Sequence, residues 1–198
     1  MTPEQKRAFL APIALIVITV LFLGSSLLWD RLSSSMSPAP ARSVQEKDNQ
    51  NQKSNIGKII SDFGIKTLDG KSIHIRDLRG KIVIVNFWAT WCPPCVVEFP
   101  ILISLAEKSK GRVVLLALSS DKTESDIQRF ITQHASNGVN MKAEGVFLAL
   151  DPERKITRDV FKVTSYPESL IVGPDGKIMR HIIGGTDWDL PDVQDLFK

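Results

Sequence analysis

The sequence predicts an α/β fold in which a mixed β-sheet carries helices on both faces. Short apolar runs of strand length alternate with segments of helical periodicity, and a tight hairpin signal stands near each end of the folded part. The composition also changes sharply before residue 59. We therefore predict a folded domain at residues 59–198, a flexible linker at residues 33–58, and a cytoplasmic tip with a membrane anchor at residues 1–32.

The anchor prediction is based on residues 8–29, which contain no charged side chain and follow Lys6 and Arg7. A membrane-spanning helix needs about 20 apolar residues, whereas the apolar part of a cleavable signal peptide has about 7–15. We therefore expect an uncleaved, single-pass anchor that places the domain on the extracytoplasmic (periplasmic) side of the cell membrane. Cleavage of a signal peptide near Ser26, which would release a secreted protein, is the alternative.

Composition distinguishes the linker from the domain. Residues 33–58 are rich in Ser, Pro, Asn, Gln and Lys, which is typical of a chain that buries too little apolar area to fold. Residues 59–198 contain 18 Lys and Arg and 18 Asp and Glu, so the net charge of +3 comes from residues 1–58. The electroneutral domain has no basic patch interleaved with aromatic residues, and we expect no nucleic-acid binding.

Period and turn signals predict the elements of the domain. Asp69-Gly70 between two alternating segments indicates an N-terminal β-hairpin with His74 facing solvent, and the uncharged run at residues 82–88 indicates a buried central strand. A helix between two strands favours a parallel pair. The remaining predictions are a helix from the end of the central strand to about residue 109 with a kink at Pro100, strands at residues 112–118 and 146–150, an apolar strand after Pro167, a hairpin at residues 174–177 leading to a strand at residues 178–183, and helices at residues 120–134, 152–161 and 190–197.

The only two cysteines lie in the segment Trp91-Cys92-Pro93-Pro94-Cys95, between the central strand and the following helix. Pro93 and Pro94 suit a first helical turn, where no amide donor is needed. Cys92 then lies at the helix N-terminus, where the helix dipole favours thiolate and lowers the thiol pKa from about 8.5 toward about 3.5–7.5. The spacing allows a disulfide, and it allows Cys95 to attack a mixed disulfide on Cys92.

Other uses of a Cys-X-X-Cys pair are less consistent with the sequence. A structural zinc site usually has four Cys or His ligands, and the three histidines are dispersed. Attachment of a c-type haem requires His directly after Cys95, where Val96 stands. A purely structural disulfide across so short a loop would add little stability. We therefore expect a redox-active Cys92–Cys95 pair, with no metal and no further cofactor.

Three segments of the domain resemble a known family: residues 85–95 with the cysteine motif, Glu98-Phe99-Pro100, and Tyr166-Pro167-Glu168-Ser169. They are similar to membrane-anchored thioredoxin-like proteins of the TlpA/ResA and CcmG/DsbE kind, over residues 59–198. The resemblance implies a thioredoxin-like fold with an N-terminal hairpin and an inserted strand-helix unit.

The resemblance also implies how substrate is held. In the family the proline matching Pro167 is cis and packs beside the cysteines, and the residue before it offers backbone groups to the substrate polypeptide. We therefore expect substrate contacts from Tyr166 and Pro167, and from Trp91 and Pro93 beside Cys92. An ordinary trans turn proline is the alternative for Pro167. Glu168 is a second carboxylate beside Pro167, which could tune the thiols or recognise a partner.

Glu98 is the predicted proton acceptor for Cys95. It follows Cys95 by three residues, which is about one helical turn and places both side chains on one face. The apolar neighbours Val97 and Phe99 would raise the pKa of Glu98 by desolvation. The strand position where thioredoxin has a buried aspartate is occupied by Asn86, which does not titrate. An exposed helix glutamate without a catalytic role is the alternative.

These observations predict a membrane-anchored thiol:disulfide oxidoreductase with Cys92 as nucleophile and Cys95 as resolving thiol. The motif does not fix the direction of electron flow. The resemblance implies a reductant that receives electrons from a membrane donor and reduces extracytoplasmic disulfides, such as the haem-binding cysteines of apocytochrome c. A peroxiredoxin-like peroxidase and a non-catalytic binding or chaperone module are the alternatives. The peroxidase requires Thr or Ser and Pro where Ala89 and Val85 stand.

Overall fold

The computed structural model of the protein describes residues 54–135 and 140–197. The predicted anchor at residues 8–29 and most of the predicted linker lie outside these ranges. Within the described ranges, no helix is both long enough and apolar enough to cross a membrane.

A mixed five-stranded sheet forms the centre of the domain, in the spatial order β5-β4-β3-β6-β7. The central strand β3 is parallel to β4 and antiparallel to β6, while β4 is parallel to β5 and β6 is antiparallel to β7. The short strands β1 and β2 form a separate antiparallel hairpin, as predicted. The strands are β1 (Gly64–Lys66), β2 (Ser72–His74), β3 (Ile82–Trp88), β4 (Val113–Ser119), β5 (Val146–Leu150), β6 (Glu168–Val172) and β7 (Ile178–Ile183).

The helices are α1 (Pro93–Lys108), α2 (Glu124–Ala135) and α3 (Pro191–Gln194). The first begins within the cysteine motif and contains Pro100, as predicted. The predicted helix at residues 152–161 is instead one π-helical turn, Lys155–Val160. The buried Asp151 carboxylate explains the shorter turn, because its Oδ2 accepts hydrogen bonds from the backbone N–H groups of Ile156 and Thr157.

The sheet separates two apolar cores, because alternate residues of β3 point to opposite faces. Ile84 and Trp88 pack with α1, α2 and α3 on one face. Val85 and Phe87 pack on the other face against the β1–β2 hairpin and the π-helical turn. The predicted α/β class is confirmed, although short turns and the hairpin replace long helices on the second face.

The domain begins before the predicted boundary at residue 59. The backbone N–H of Gly57 donates to the Ile178 carbonyl (2.8 Å), and the Ile178 N–H donates to the Lys58 carbonyl (2.9 Å). Residues 57–58 are polar or lack a side chain, so composition places them in the linker. Their backbone nevertheless pairs with the exposed edge of β7, and the predicted linker end at residue 58 is too late.

Candidate active site

The cysteine motif lies where β3 ends and α1 begins. Cys92 is the N-cap residue of α1, and its Sγ accepts a hydrogen bond from the Cys95 backbone N–H at 3.3 Å. The two cysteines form a disulfide with their Cα atoms 5.3 Å apart. Cys92 retains 4% of its surface in solvent and Cys95 retains none. The first sulfur is therefore the one that an external thiol can reach.

Asp121 fixes the loop that leads into the motif. Its buried carboxylate accepts hydrogen bonds from the Thr90 backbone N–H (3.0 Å), the Thr90 hydroxyl (2.7 Å) and the Ser119 hydroxyl (2.5 Å). Sequence reasoning assigned no role to Asp121. Its place directly after a parallel strand was the available signal, because the carboxyl ends of β3 and β4 meet at the same edge of the sheet.

A second loop approaches the motif from the start of β6. The Tyr166–Pro167 peptide bond is cis, as the resemblance implies. The Tyr166 hydroxyl donates to Ser120 Oγ at 2.7 Å, and the Tyr166 ring meets the Trp91 ring edge to face at 5.7 Å. Trp91 is 63% exposed and Pro93 is also exposed. The structure thus brings Tyr166 and Trp91 together beside the disulfide and leaves apolar surface there for another chain.

Glu98 lies in the core and not at the surface, with 5% of its area exposed. Its Oε1 accepts from Asn86 Nδ2 at 3.1 Å and its Oε2 accepts from Trp188 Nε1 at 3.3 Å. Burial raises the pKa of Glu98 above its ordinary value, and hydrogen bonds from Trp188, Asn86 and the Thr186 backbone oppose that rise. The alternative of an exposed helix glutamate is therefore wrong.

The source of the desolvation differs in part from the prediction. Val97 is 72% exposed and contributes nothing to the burial of Glu98, whereas Phe99 and Trp188 are fully buried in the core. Sequence reasoning missed Trp188, which is 90 residues from Glu98 along the chain. Only the docking of the C-terminal segment against α1 brings the two side chains together.

Asn86 connects Glu98 to β6. Its Nδ2 donates to Glu98 Oε1 and also to Ser169 Oγ at 2.9 Å, and Asn86 is completely buried. Its Oδ1 has no hydrogen-bond partner among the described residues. Register explains the contact, because Asn86 and Ser169 are directly opposite each other in the β3–β6 ladder. From the sequence, Asn86 was only a position without a titrating group, and Ser169 was part of the family motif without a role of its own.

Glu168 lies on the opposite face of the sheet from Glu98, because it is paired with Phe87 and alternates with Ser169. Its Oε1 is 2.8 Å from His181 Nε2, and both side chains are buried. The pair lines a cavity of about 260 Å³, together with Asn55, Lys58, Ile59 and Ser61. Glu168 is thus buried against His181 on the other face of the sheet from Glu98, and its role in tuning the thiols or recognising a partner stays a prediction.

The described residues contain no group of three or more His, Cys, Asp or Glu side chains arranged to hold a metal ion. The redox-capable group that they do contain is the disulfide at the start of α1.

Disulfide exchange is the chemistry that this geometry supports, because one cysteine keeps a small exposed area at a helix N-terminus and its disulfide partner is fully buried one turn later. The protein is a thioredoxin-fold thiol:disulfide oxidoreductase. Residues 56–181 match the model of the AhpC/TSA family, and the chain belongs to that family.

Named relatives confirm the predicted resemblance. The thiol-disulfide oxidoreductase ResA of Bacillus thuringiensis (strain Al Hakam) is 36% identical over 134 residues, which are 67% of this chain and 72% of that protein. ResA of Bacillus subtilis (strain 168) is 30% identical over 145 residues, which are 72% of this chain and 75% of that protein. A Chlorobium tepidum structure, assigned as the thiol:disulfide interchange protein DsbE, superposes with a TM-score of 0.60 at 25% identity and covers 71% of this chain and 94% of that chain.

Proposed function

We propose that the protein is a membrane-anchored reductase of extracytoplasmic protein disulfides, with the haem-binding cysteine pairs of apocytochrome c as its substrate class. The observation that carries this proposal is the buried Glu98 carboxyl one helical turn after the buried Cys95. A reductase must deprotonate its buried thiol in every turnover, and Glu98 is a suitably placed acceptor. The uncharged segment at residues 8–29 supports anchoring beside a membrane electron donor.

The reaction begins with the reduced dithiol. The Cys92 thiolate attacks one sulfur of the substrate disulfide, which forms a Cys92–substrate disulfide and releases the other substrate sulfur as thiolate. Cys95 then gives its proton to Glu98, and the Cys95 thiolate attacks Cys92 Sγ. This step forms the Cys92–Cys95 disulfide and releases the second substrate thiolate. The substrate gains two electrons, the dithiol loses two, and the proton on Glu98 returns to solvent or to a released thiolate.

Substrate binding falls to the two loops that meet at the disulfide. Trp91 and Pro93 provide exposed apolar surface on one side, and the half-buried Tyr166, which precedes the buried Pro167, forms the other side. An extended polypeptide with a cysteine pair can lie across this surface with its sulfur over Cys92. The contact between the Trp91 and Tyr166 rings holds the two sides together.

Trapping of mixed disulfides tests the assignment of the two sulfurs. In Cys95→Ser the Cys92 thiolate captures a substrate but no second sulfur releases it, so disulfide-linked adducts should accumulate. Cys92→Ser should trap nothing, because Cys95 is buried. Non-reducing gels followed by identification of the captured proteins would measure this. Equal trapping by both variants would contradict the roles given to Cys92 and Cys95.

The location and the substrate class need separate tests. A reporter that is active only outside the cytoplasm, fused after Lys198, should be active, and alkaline extraction should leave the full-length chain in the membrane. Loss of the protein should lower c-type cytochrome levels, and an added thiol reductant should restore them. A processed protein in the soluble fraction would contradict anchoring, and normal cytochrome levels would contradict the substrate class.

A thiol peroxidase is the second candidate, and the match to the AhpC/TSA family favours it specifically. Peroxide reduction requires groups around Cys92 that polarise the peroxide, but Ala89 and Val85 occupy the positions where such a group and its supporting proline are expected. Peroxide turnover with a dithiol reductant separates the two activities. We expect disulfide reduction well above any peroxide consumption.

A further inference from the structure

Asn86 is held in one orientation by two hydrogen bonds that it donates through the same atom. Its Nδ2 lies 3.1 Å from Glu98 Oε1 and 2.9 Å from Ser169 Oγ. This orientation suits an ionised Glu98, because a carboxylate only accepts hydrogen bonds. The Asn86 Oδ1, on the other side of the amide, has no partner among the described residues although the side chain is completely buried.

A proton that arrives at Glu98 has one preferred oxygen. Trp188 Nε1 can only donate, and it donates to Oε2, so this oxygen remains an acceptor. The proton therefore settles on Oε1, which faces the Asn86 amide group. Two donors, the new O–H and the amide N–H, then point at each other. A buried clash of this kind costs free energy until one of the groups turns.

Rotation of the Asn86 amide by half a turn removes the clash. The rotation presents Oδ1 to the Glu98 hydroxyl and to the Ser169 hydroxyl, which can donate as readily as it accepts. Both hydrogen bonds of the network then reverse direction. After the rotation the amide still makes two hydrogen bonds, one to Glu98 and one to Ser169. The unpaired side of the buried amide changes from Oδ1 to the Nδ2 hydrogens.

We propose that Asn86 is a reversible positioning residue for the proton acceptor: its amide donates to Glu98 and Ser169 when Glu98 is ionised, and it rotates to accept from both when Glu98 carries the proton taken from Cys95. Asn86 thereby stabilises both states through which Glu98 passes in each turnover. The link to Cys95 rests on the proposed function, whereas the rotation itself depends only on the protonation of Glu98.

The groups that hydrogen-bond to the Glu98 carboxyl come from β3 and the C-terminal segment: Asn86, Trp188 and the Thr186 backbone. Ser169 on β6 bonds to Asn86, and Cys95 lies one helical turn before Glu98 on α1. Each of them is neutral while Cys95 is a disulfide. The nearest acidic residues along the C-terminal segment, Asp187 and Asp189, are exposed. A titration of the oxidised protein therefore reports Glu98 and the amide without interference from a thiol.

Side-chain NMR on the oxidised full-length chain, labelled at Asn, Ser and Glu, tests the rotation without any variant. At a pH above the midpoint of the Glu98 titration, the Asn86 amide protons should show nuclear Overhauser cross-peaks to the Ser169 β-protons and the Glu98 γ-protons. Below the midpoint, these cross-peaks should vanish with the same pH dependence as the Glu98 carboxyl signal. Cross-peaks that persist below the midpoint would overturn the proposal.

Asn86→Leu provides the second measurement. Leucine neither donates nor accepts hydrogen bonds. The ionised Glu98 loses a stronger hydrogen bond than the protonated Glu98 does, so the pH midpoint of the Glu98 titration should rise. At neutral pH the release of a Cys92 mixed disulfide by Cys95 should slow about tenfold and recover as the pH rises. An unchanged midpoint would refute the role of Asn86. A shifted midpoint with an unchanged release rate would retain the hydrogen-bond role and instead contradict Glu98 as the proton acceptor.

Discussion

At the scale of single residues, the placement of Glu98 has a cost in stability. Burial makes the ionised carboxyl unfavourable, and its three hydrogen-bond donors offset this only in part, since the pKa of Glu98 remains raised. A carboxylate kept in the core without a cationic partner is expected where function requires proton transfer. Glu107, the exposed acidic residue of α1, carries no such cost.

Replacement of Glu98 by Gln should therefore stabilise the protein in a pH-dependent way. A raised folded-state pKa means that the native state keeps its proton longer than the unfolded chain. Stability from this group is complete below the ordinary pKa and is lost as the pH rises through the raised one. The free energy of unfolding of Glu98→Gln relative to wild type should increase from acid to neutral pH, as measured by urea denaturation of the oxidised proteins.

Glu107→Gln is the matched control for that series, because Glu107 is an exposed carboxyl on the same helix. The free energy of unfolding of Glu107→Gln should differ little from that of wild type, and the difference should be nearly constant with pH. A stability difference for Glu98→Gln that is equally flat between acid and neutral pH would contradict the burial of an ionisable acid.

At the scale of elements, the site depends on the edge of the sheet where β3 and β4 end. Asp121 holds the Thr90 loop, and Ser120 beside it holds Tyr166. One short segment after β4 thus fixes both sides of the surface that receives substrate. Such a segment needs no contact with substrate to determine how far apart the two loops stand.

Removal of the Asp121 carboxylate should loosen the motif loop. Asp121→Ala leaves the Thr90 N–H and two hydroxyls without their acceptor, so we expect a loss of about 2–3 kcal/mol in the free energy of unfolding. Lys122→Ala, at the exposed next residue, should change it by less than about 0.5 kcal/mol. Denaturant unfolding gives both values, and equal effects for the two variants would show that the Asp121 hydrogen bonds are not stabilising.

Local signals predicted most of these elements. The Asp69-Gly70 turn has Gly70 at a φ of 85°, and Cys92 caps α1, so short segments of sequence determine both features. Helix α1 and the strands of the sheet lie within a few residues of their predicted positions. The turn at residues 155–160 begins later than predicted, because the side chain of Asp151, which precedes it, accepts hydrogen bonds from the backbone N–H groups of Ile156 and Thr157.

At the scale of the whole molecule, the proton acceptor is completed by parts of the chain that are far apart in sequence. Asn86 on β3, Ser169 on β6 and Trp188 near the C-terminus converge on Glu98 or its partner. Sequence periodicity does not predict such contacts, because they depend on strand order and on docking of the last segment. The face occupied by Glu168 could be predicted, since strand alternation places neighbouring Glu168 and Ser169 on opposite faces of the sheet.

Trp188 should couple the C-terminal segment to the active-site helix. Trp188→Phe keeps most of the buried ring but removes the N–H donor to Glu98 Oε2. The ionised form loses a hydrogen bond, so the pKa of Glu98 should rise further above its ordinary value. Carbon-13 NMR of the Glu98 carboxyl would measure this. Trp91→Phe, which changes an exposed ring, should leave the pKa of Glu98 unchanged. A similar rise of this pKa in both variants would contradict a direct contact between Trp188 and Glu98.

The central claim is that the first sulfur of the motif is made reactive by the helix it caps. In the reduced protein, the rate of alkylation at Cys92 near neutral pH tests this claim most directly, with Cys95→Ser used to isolate the single thiol. We predict a rate well above that of an unstructured cysteine peptide, with thiolate present below the pH at which free cysteine ionises. A rate equal to or below that of the peptide, with the ionisation of a free thiol, would contradict the claim.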